Sequence, residues 1–97
     1  MPGHWWQFWQ RPLAPIQVVI FTRSNCPLCD KAAAFLDTER QKHRFALEFR
    51  DIAGDPELTR LHGDWVPVVE VNGQVRFRGA INPVLWRRLL RNAERKS

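Results

Sequence analysis

Two cysteines separated by two residues, Cys26-Pro27-Leu28-Cys29, are the side chains of this sequence best suited to chemistry. Residues three apart on a helix lie on the same face, so thiols at that spacing can open and close a disulfide. The pair falls where an apolar, β-branched run, Ile16-Gln17-Val18-Val19-Ile20-Phe21, gives way to a helical pattern. At a strand-to-helix junction the first cysteine meets the unpaired N–H groups and positive dipole end of the helix, which favour a thiolate. Arg23 adds to that effect if its side chain turns toward the sulfur, and Asp30 opposes it. The net expectation is a Cys26 thiol that titrates below the free value of ~8.5. Cys26 is therefore the candidate nucleophile, and Cys29, one turn further in, its resolving partner. Pro27 suits the first helical position and stiffens the turn. Leu28 leaves an apolar lip beside Cys26.

The elements that must hold this pair can be read from pattern. Residues 16–22 read as a buried central strand. Leu28, Ala32, Phe35 and Leu36 recur at helical spacing, predicting a helix to about Gln41 with those residues on its buried face. Phe45, Leu47 and Phe49 alternate with Ala46, Glu48 and Arg50, predicting a second strand. Asp55-Pro56-Glu57 is a helix start, with Leu58 and Leu61 as its apolar face and Gly63 as its stop. Pro67-Val68-Val69-Glu70-Val71 reads as a third strand. Asn72-Gly73 then signals a hairpin that returns Val75-Arg76-Phe77-Arg78 antiparallel. Asn82-Pro83 caps a last helix, with Leu85, Trp86, Leu89, Leu90 and Ala93 on one side. The order strand, helix, strand, helix, strand, strand, helix predicts an α/β fold (βαβαββα) with a four-stranded mixed sheet and helices on both faces.

Composition narrows the class. The chain has 97 residues, enough for one domain with a single small core. No apolar stretch approaches the ~20 residues of a membrane-spanning helix, so stable membrane insertion is not expected. Residues 1–15 lack the basic and apolar regions of a secretory signal. Two cysteines three positions apart do not make a secreted disulfide framework, so the expected compartment is the reducing cytoplasm. The net charge is +5, and its excess lies late in the chain, in Arg87, Arg88, Arg91, Arg95 and Lys96. Without interleaved stacking or polar readers this reads as a solvated helix face, not a nucleic-acid surface. Residues 1–15 form a distinct aromatic extension, His4-Trp5-Trp6-Gln7-Phe8-Trp9 followed by Pro12 and Pro15. Tryptophan favours sites with one dry and one wet side. Packing against the domain, or against a second copy in a homodimer, is favoured over shallow membrane attachment, because Arg11 alone supplies fixed side-chain charge.

The element order, the Cys-x-x-Cys at the first strand–helix junction, and Val66-Pro67 before the third strand together resemble the thioredoxin fold. Within it, Phe21-Thr22-Arg23-Ser24-Asn25-Cys26-Pro27-x-Cys29 is similar to the active-site stretch of glutaredoxins. Trp65-Val66-Pro67 matches that family's Thr-Val-Pro segment, and Gly79 falls where its post-strand glycine lies. The resemblance covers roughly residues 16–95, so residues 16–97 are read as a glutaredoxin-like domain. It implies thiol–disulfide exchange on protein disulfides or glutathione mixed disulfides, with no bound cofactor and glutathione as the co-substrate. It also implies a cis Val66-Pro67 bond facing the cysteines, with the Val66 backbone turned outward to a bound peptide or glutathione. On the same basis Arg23, Pro27, Leu28, Val66, Pro67 and Gly79 form the substrate- or glutathione-binding set around Cys26 and Cys29. Two departures stand out. Leu28 replaces the usual tyrosine, and Gly79-Ala80-Ile81-Asn82 replaces the Gly-Gly-polar run that helps hold the γ-glutamyl end of glutathione. The Cys-x-Leu-Cys form, with Asp30 next, resembles a small glutaredoxin-like branch.

Two alternatives compete. The cysteines could contribute to a metal site, or to an iron–sulfur cluster shared between two chains as in some glutaredoxins. Pro27 and the second cysteine argue against a shared cluster. His43 and His62 fall near the far ends of their helices, so neither is expected to reach the cysteines, and no metal ligand is assigned. A thioredoxin-fold binding module without redox work would use the basic last helix and the tryptophan-rich start, but would not need an intact cysteine pair. Trp65 either flanks the thiols or packs in the core.

Overall fold

Strand β1 (Ile16–Thr22) is the axis of the fold in a computed structural model that describes residues 16–96, with side chains to residue 93. The aromatic extension at 1–15, and the contacts expected of it, lie outside the described residues. From β1 the chain enters helix α1 (Pro27–Glu39), strand β2 (Phe45–Asp51) and helix α2 (Pro56–His62). Strand β3 (Val68–Val71), strand β4 (Gln74–Arg78) and helix α3 (Pro83–Lys96) complete it. The sheet order is β2-β1-β3-β4, with β1 parallel to β2 and antiparallel to β3, and β3 antiparallel to β4. This is the expected mixed sheet of a thioredoxin-like fold.

Each connection has a local cause. Asn72 (φ 50°) and Gly73 (φ 85°) both adopt positive φ, the requirement of the two-residue hairpin turn whose twist matches its strands. The Asn72 side chain also accepts the Gln17 N–H at 2.9 Å, tying the hairpin to the start of β1. Asp55 caps α2 by accepting the Leu58 N–H at 3.0 Å. Asn82 caps α3 by accepting from Val84 and Leu85.

Alternation along the strands divides the apolar residues between two faces. Ile16, Val18, Ile20, Phe45, Val69 and Val71 face Ala32 and Leu36 of α1 and Trp86 and Leu90 of α3. Phe21, Ile52, Val66 and Val68 form the second cluster with Cys29, and Leu58 of α2 and Cys26 pack against it. Helices thus cover both faces of the sheet. Among the described residues no helix is long and apolar enough to cross a membrane.

Four apolar residues expected inside are exposed. Leu28 is 51% exposed, and the buried stripe of α1 runs instead through Cys29, Ala32, Leu36 and Glu39. Phe49 lies on β2, an edge strand whose burial fades toward its end, and belongs to neither cluster. Leu61 and Leu85 turn away from the faces that Leu58 and Trp86 bury. The reverse case is Glu39, a carboxylate only 1% exposed among core residues. It accepts the Trp86 Nε1–H at 2.9 Å, and Lys42, His43 and Arg87 approach it at 3.6–3.8 Å. It therefore joins the rear of α1 to α3 with its polar atoms satisfied.

Candidate active site

The strand-to-helix junction is built by a sharp turn. Asn25, at φ 58°, takes the left-handed conformation that asparagine tolerates better than most residues. The chain then re-enters extended geometry at Cys26, which is the N-cap of α1, with Pro27 at the first helical position. The Cys26 sulfur accepts the Cys29 N–H at 3.1 Å, so a side chain that can react also caps the helix. The Cys26 carbonyl accepts the Asp30 N–H at 3.1 Å.

The two cysteines are joined as a disulfide, with Cα atoms 5.2 Å apart, inside the usual 4.4–6.8 Å span of such bonds. Their environments differ. Cys26 is partly exposed, whereas Cys29 is 2% exposed and packs with Phe21, Val66 and Val68. The bond between Val66 and Pro67 is cis, as the resemblance implied. Val66 shares the apolar cluster of both cysteines, which brings the proline loop and the thiols together.

Gly79 anchors that loop from the other side. Its N–H is shared between the carbonyls of Pro67 (2.8 Å) and Trp65 (3.2 Å), and its φ is +80°. The segment that follows, Ala80 and Ile81, faces Leu28, Lys31, Ala32 and Phe35 across a groove of about 250 Å³. Leu28 sits between the two cysteines in the chain, so one wall of the groove belongs to the Cys-x-x-Cys loop, although neither cysteine lines it. A roomier depression of about 530 Å³ lies at the other end of the sheet, between the β3–β4 turn and α3, and includes no residue of the Cys-x-x-Cys loop. Size alone would point away from the thiols, so chemistry decides between the two.

The structure decides two open readings of the surroundings, those of Arg23 and Trp65. Arg23 donates from its guanidinium to the Gly63 carbonyl at 3.0 Å, which ties the turn before Cys26 to the end of α2 instead of offering that bond to the sulfur. The His62 ring lies 4.6 Å from that of Phe21, which belongs to the cluster holding Cys29. Trp65 is 59% exposed, which excludes core packing. Among the described residues no three His, Cys, Asp or Glu side chains gather as a metal site.

A family profile described as Glutaredoxin-like domain (DUF836) matches residues 17–90, which span β1 to the middle of α3 and include every element above. The chain belongs to this glutaredoxin-like family. The glutaredoxin-like chain is also similar to a solved structure, the solution NMR structure of protein Ne2328 from Nitrosomonas europaea. The two share 29% identity at a TM-score of 0.70, over 78% of this chain and 92% of the other. No curated protein matches the chain. Family and geometry together support thiol redox chemistry of a general kind at the cysteine pair.

Proposed function

We propose that the protein is a thiol–disulfide oxidoreductase that reduces protein disulfides or glutathione mixed disulfides through Cys26 and Cys29. The observation that carries this reading is the inequality of two bonded sulfurs: one partly exposed at a helix N-cap, the other buried one turn behind it. In the reduced protein the Cys26 thiolate attacks one sulfur of a substrate disulfide. A Cys26–substrate disulfide forms and the other substrate sulfur leaves as a thiolate. Cys29, deprotonated in turn, attacks Cys26; the second substrate thiolate leaves and the internal disulfide closes. Two electrons pass from the dithiol to the substrate, and two molecules of a low-molecular-weight thiol such as glutathione refill it, leaving as their disulfide.

The roles follow from placement. The N–H of Cys29 and the helix dipole stabilise charge on Cys26, while Asp30 stays exposed in the first turn and only partly offsets them. Arg23 holds the turn to Gly63, acting on position and not on the sulfur. Pro27 and Leu28 shape the rim, and Val66, Pro67 and Gly79 form the wall to which an extended substrate would pair. A dithiol that must be refilled fits a cytoplasmic setting.

The test uses the pre-reduced full chain with oxidised 2-mercaptoethanol and with glutathione disulfide. Cys26→Ser is expected to abolish reduction, and Cys29→Ser to stop at an adduct on Cys26 detectable by mass. Thiols inert to both disulfides would overturn the redox reading and leave a binding module.

A further inference from the structure

The groove against the Cys-x-x-Cys loop lacks the acidic group that the ammonium of a zwitterionic ligand end would need. Its walls are Leu28, Ala32 and Phe35 on α1 and Gly79, Ala80 and Ile81 after β4, with Lys31 as the one charged side chain lining it. No acidic side chain lines it to receive an ammonium, and an unpaired charge placed against apolar walls is disfavoured. The volume, about 250 Å³, falls below the ~300–1,000 Å³ of sites that enclose a whole small ligand. It suits one large apolar side chain attached to something that continues outside. Because Leu28 lies between Cys26 and Cys29 in the chain, a side chain seated there rests against the Cys-x-x-Cys loop. We infer that this groove selects polypeptide disulfides bearing a large apolar residue adjacent to the cysteine, in preference to glutathione disulfide. The inference rests on the redox reading above and deepens it by naming the substrate class.

The reaction is the exchange already described: Cys26 takes the cysteine sulfur of the peptide, Cys29 releases that peptide as a thiol, and the protein ends as the internal disulfide. A single turnover of pre-reduced protein therefore needs no further reductant. The probes are disulfide-linked dimers of two capped tetrapeptides, identical except for Phe or Asn beside the cysteine, together with glutathione disulfide and oxidised 2-mercaptoethanol. The expected result is a second-order rate constant at least ~10-fold higher for the Phe peptide than for the Asn peptide or glutathione disulfide. In Ala80→Asp, where an exposed wall residue becomes a carboxylate, the preference for Phe over Asn is expected to fall to near parity. The wild-type series stands by itself if that variant fails to fold. Equal rates for the two peptides, or a faster reaction with glutathione disulfide, would overturn the groove assignment while leaving the redox reading intact. Failure to reduce any of the four would overturn both.

Discussion

The Cys26 sulfur has two duties, and substitutions can separate them. On a Cys29→Ser background, which prevents an internal disulfide, Cys26→Ser keeps an oxygen able to accept the residue 29 N–H that the sulfur accepts at 3.1 Å. Cys26→Ala removes the acceptor and leaves the first turn of a 13-residue helix uncapped. Loss of an N-cap costs about 1 kcal/mol, which for a domain of this size lowers Tm by roughly 4–8 °C. Both variants are expected to be inactive, yet the serine form should melt higher than the alanine form by that margin. The parent Cys29→Ser protein adds a pH arm. If the folded-state pKa of Cys26 is depressed, its thiolate contributes stability that is complete above the unfolded value of ~8.5 and is lost as pH falls through the folded value. Denaturant titrations across that range should show stability rising with pH in the parent, with the Cys26→Ser form lacking that component. Coincident melting of the alanine and serine forms, with no pH dependence separating parent from serine form, would refute the reasoning. The same N–H groups serve both the cap and the thiolate.

Three further outcomes follow from the packing. Glu39→Leu should cost about 1–3 kcal/mol in urea unfolding, because the buried Trp86 N–H loses its acceptor; Glu39→Gln, which retains an amide oxygen, should cost less. An alanine in a right-handed conformation normally stabilises, but a Cβ on Gly63 would lie 2.5 Å from the Thr59 backbone oxygen, so Gly63→Ala should lower stability by about 1–3 kcal/mol, and a gain in Tm would contradict this. Asn72→Ala should lose about 1 kcal/mol by removing the acceptor of the Gln17 N–H and straining a positive φ, with Asn72→Gly recovering the backbone part.

Element order, strand pairing and the site of the cysteine pair were legible because they depend on short-range signals. These were an apolar run into Cys-x-x-Cys, Asp55-Pro56 and Asn82-Pro83 at helix starts, and Asn72-Gly73 at the hairpin. Which apolar residues go inside was less legible. Periodicity names a helical face but not its phase, so Leu28 reads as inward although the buried stripe begins at Cys29. Alternation on β2 says nothing about being an edge strand, and Phe49 is exposed for that reason. Glu39 could not be recognised as buried, because its partner Trp86 lies 47 residues away. The partner of Arg23 is not legible locally, because Gly63 lies 40 residues away. The groove combines two segments some fifty residues apart, and only the fold brings Leu28 opposite Ala80.

Glu39 fixes the back of the helix whose front carries the sulfurs. A rod tied at its tail to a second rod resists sliding, so the thiols ride on a mount fastened to the far side of the molecule.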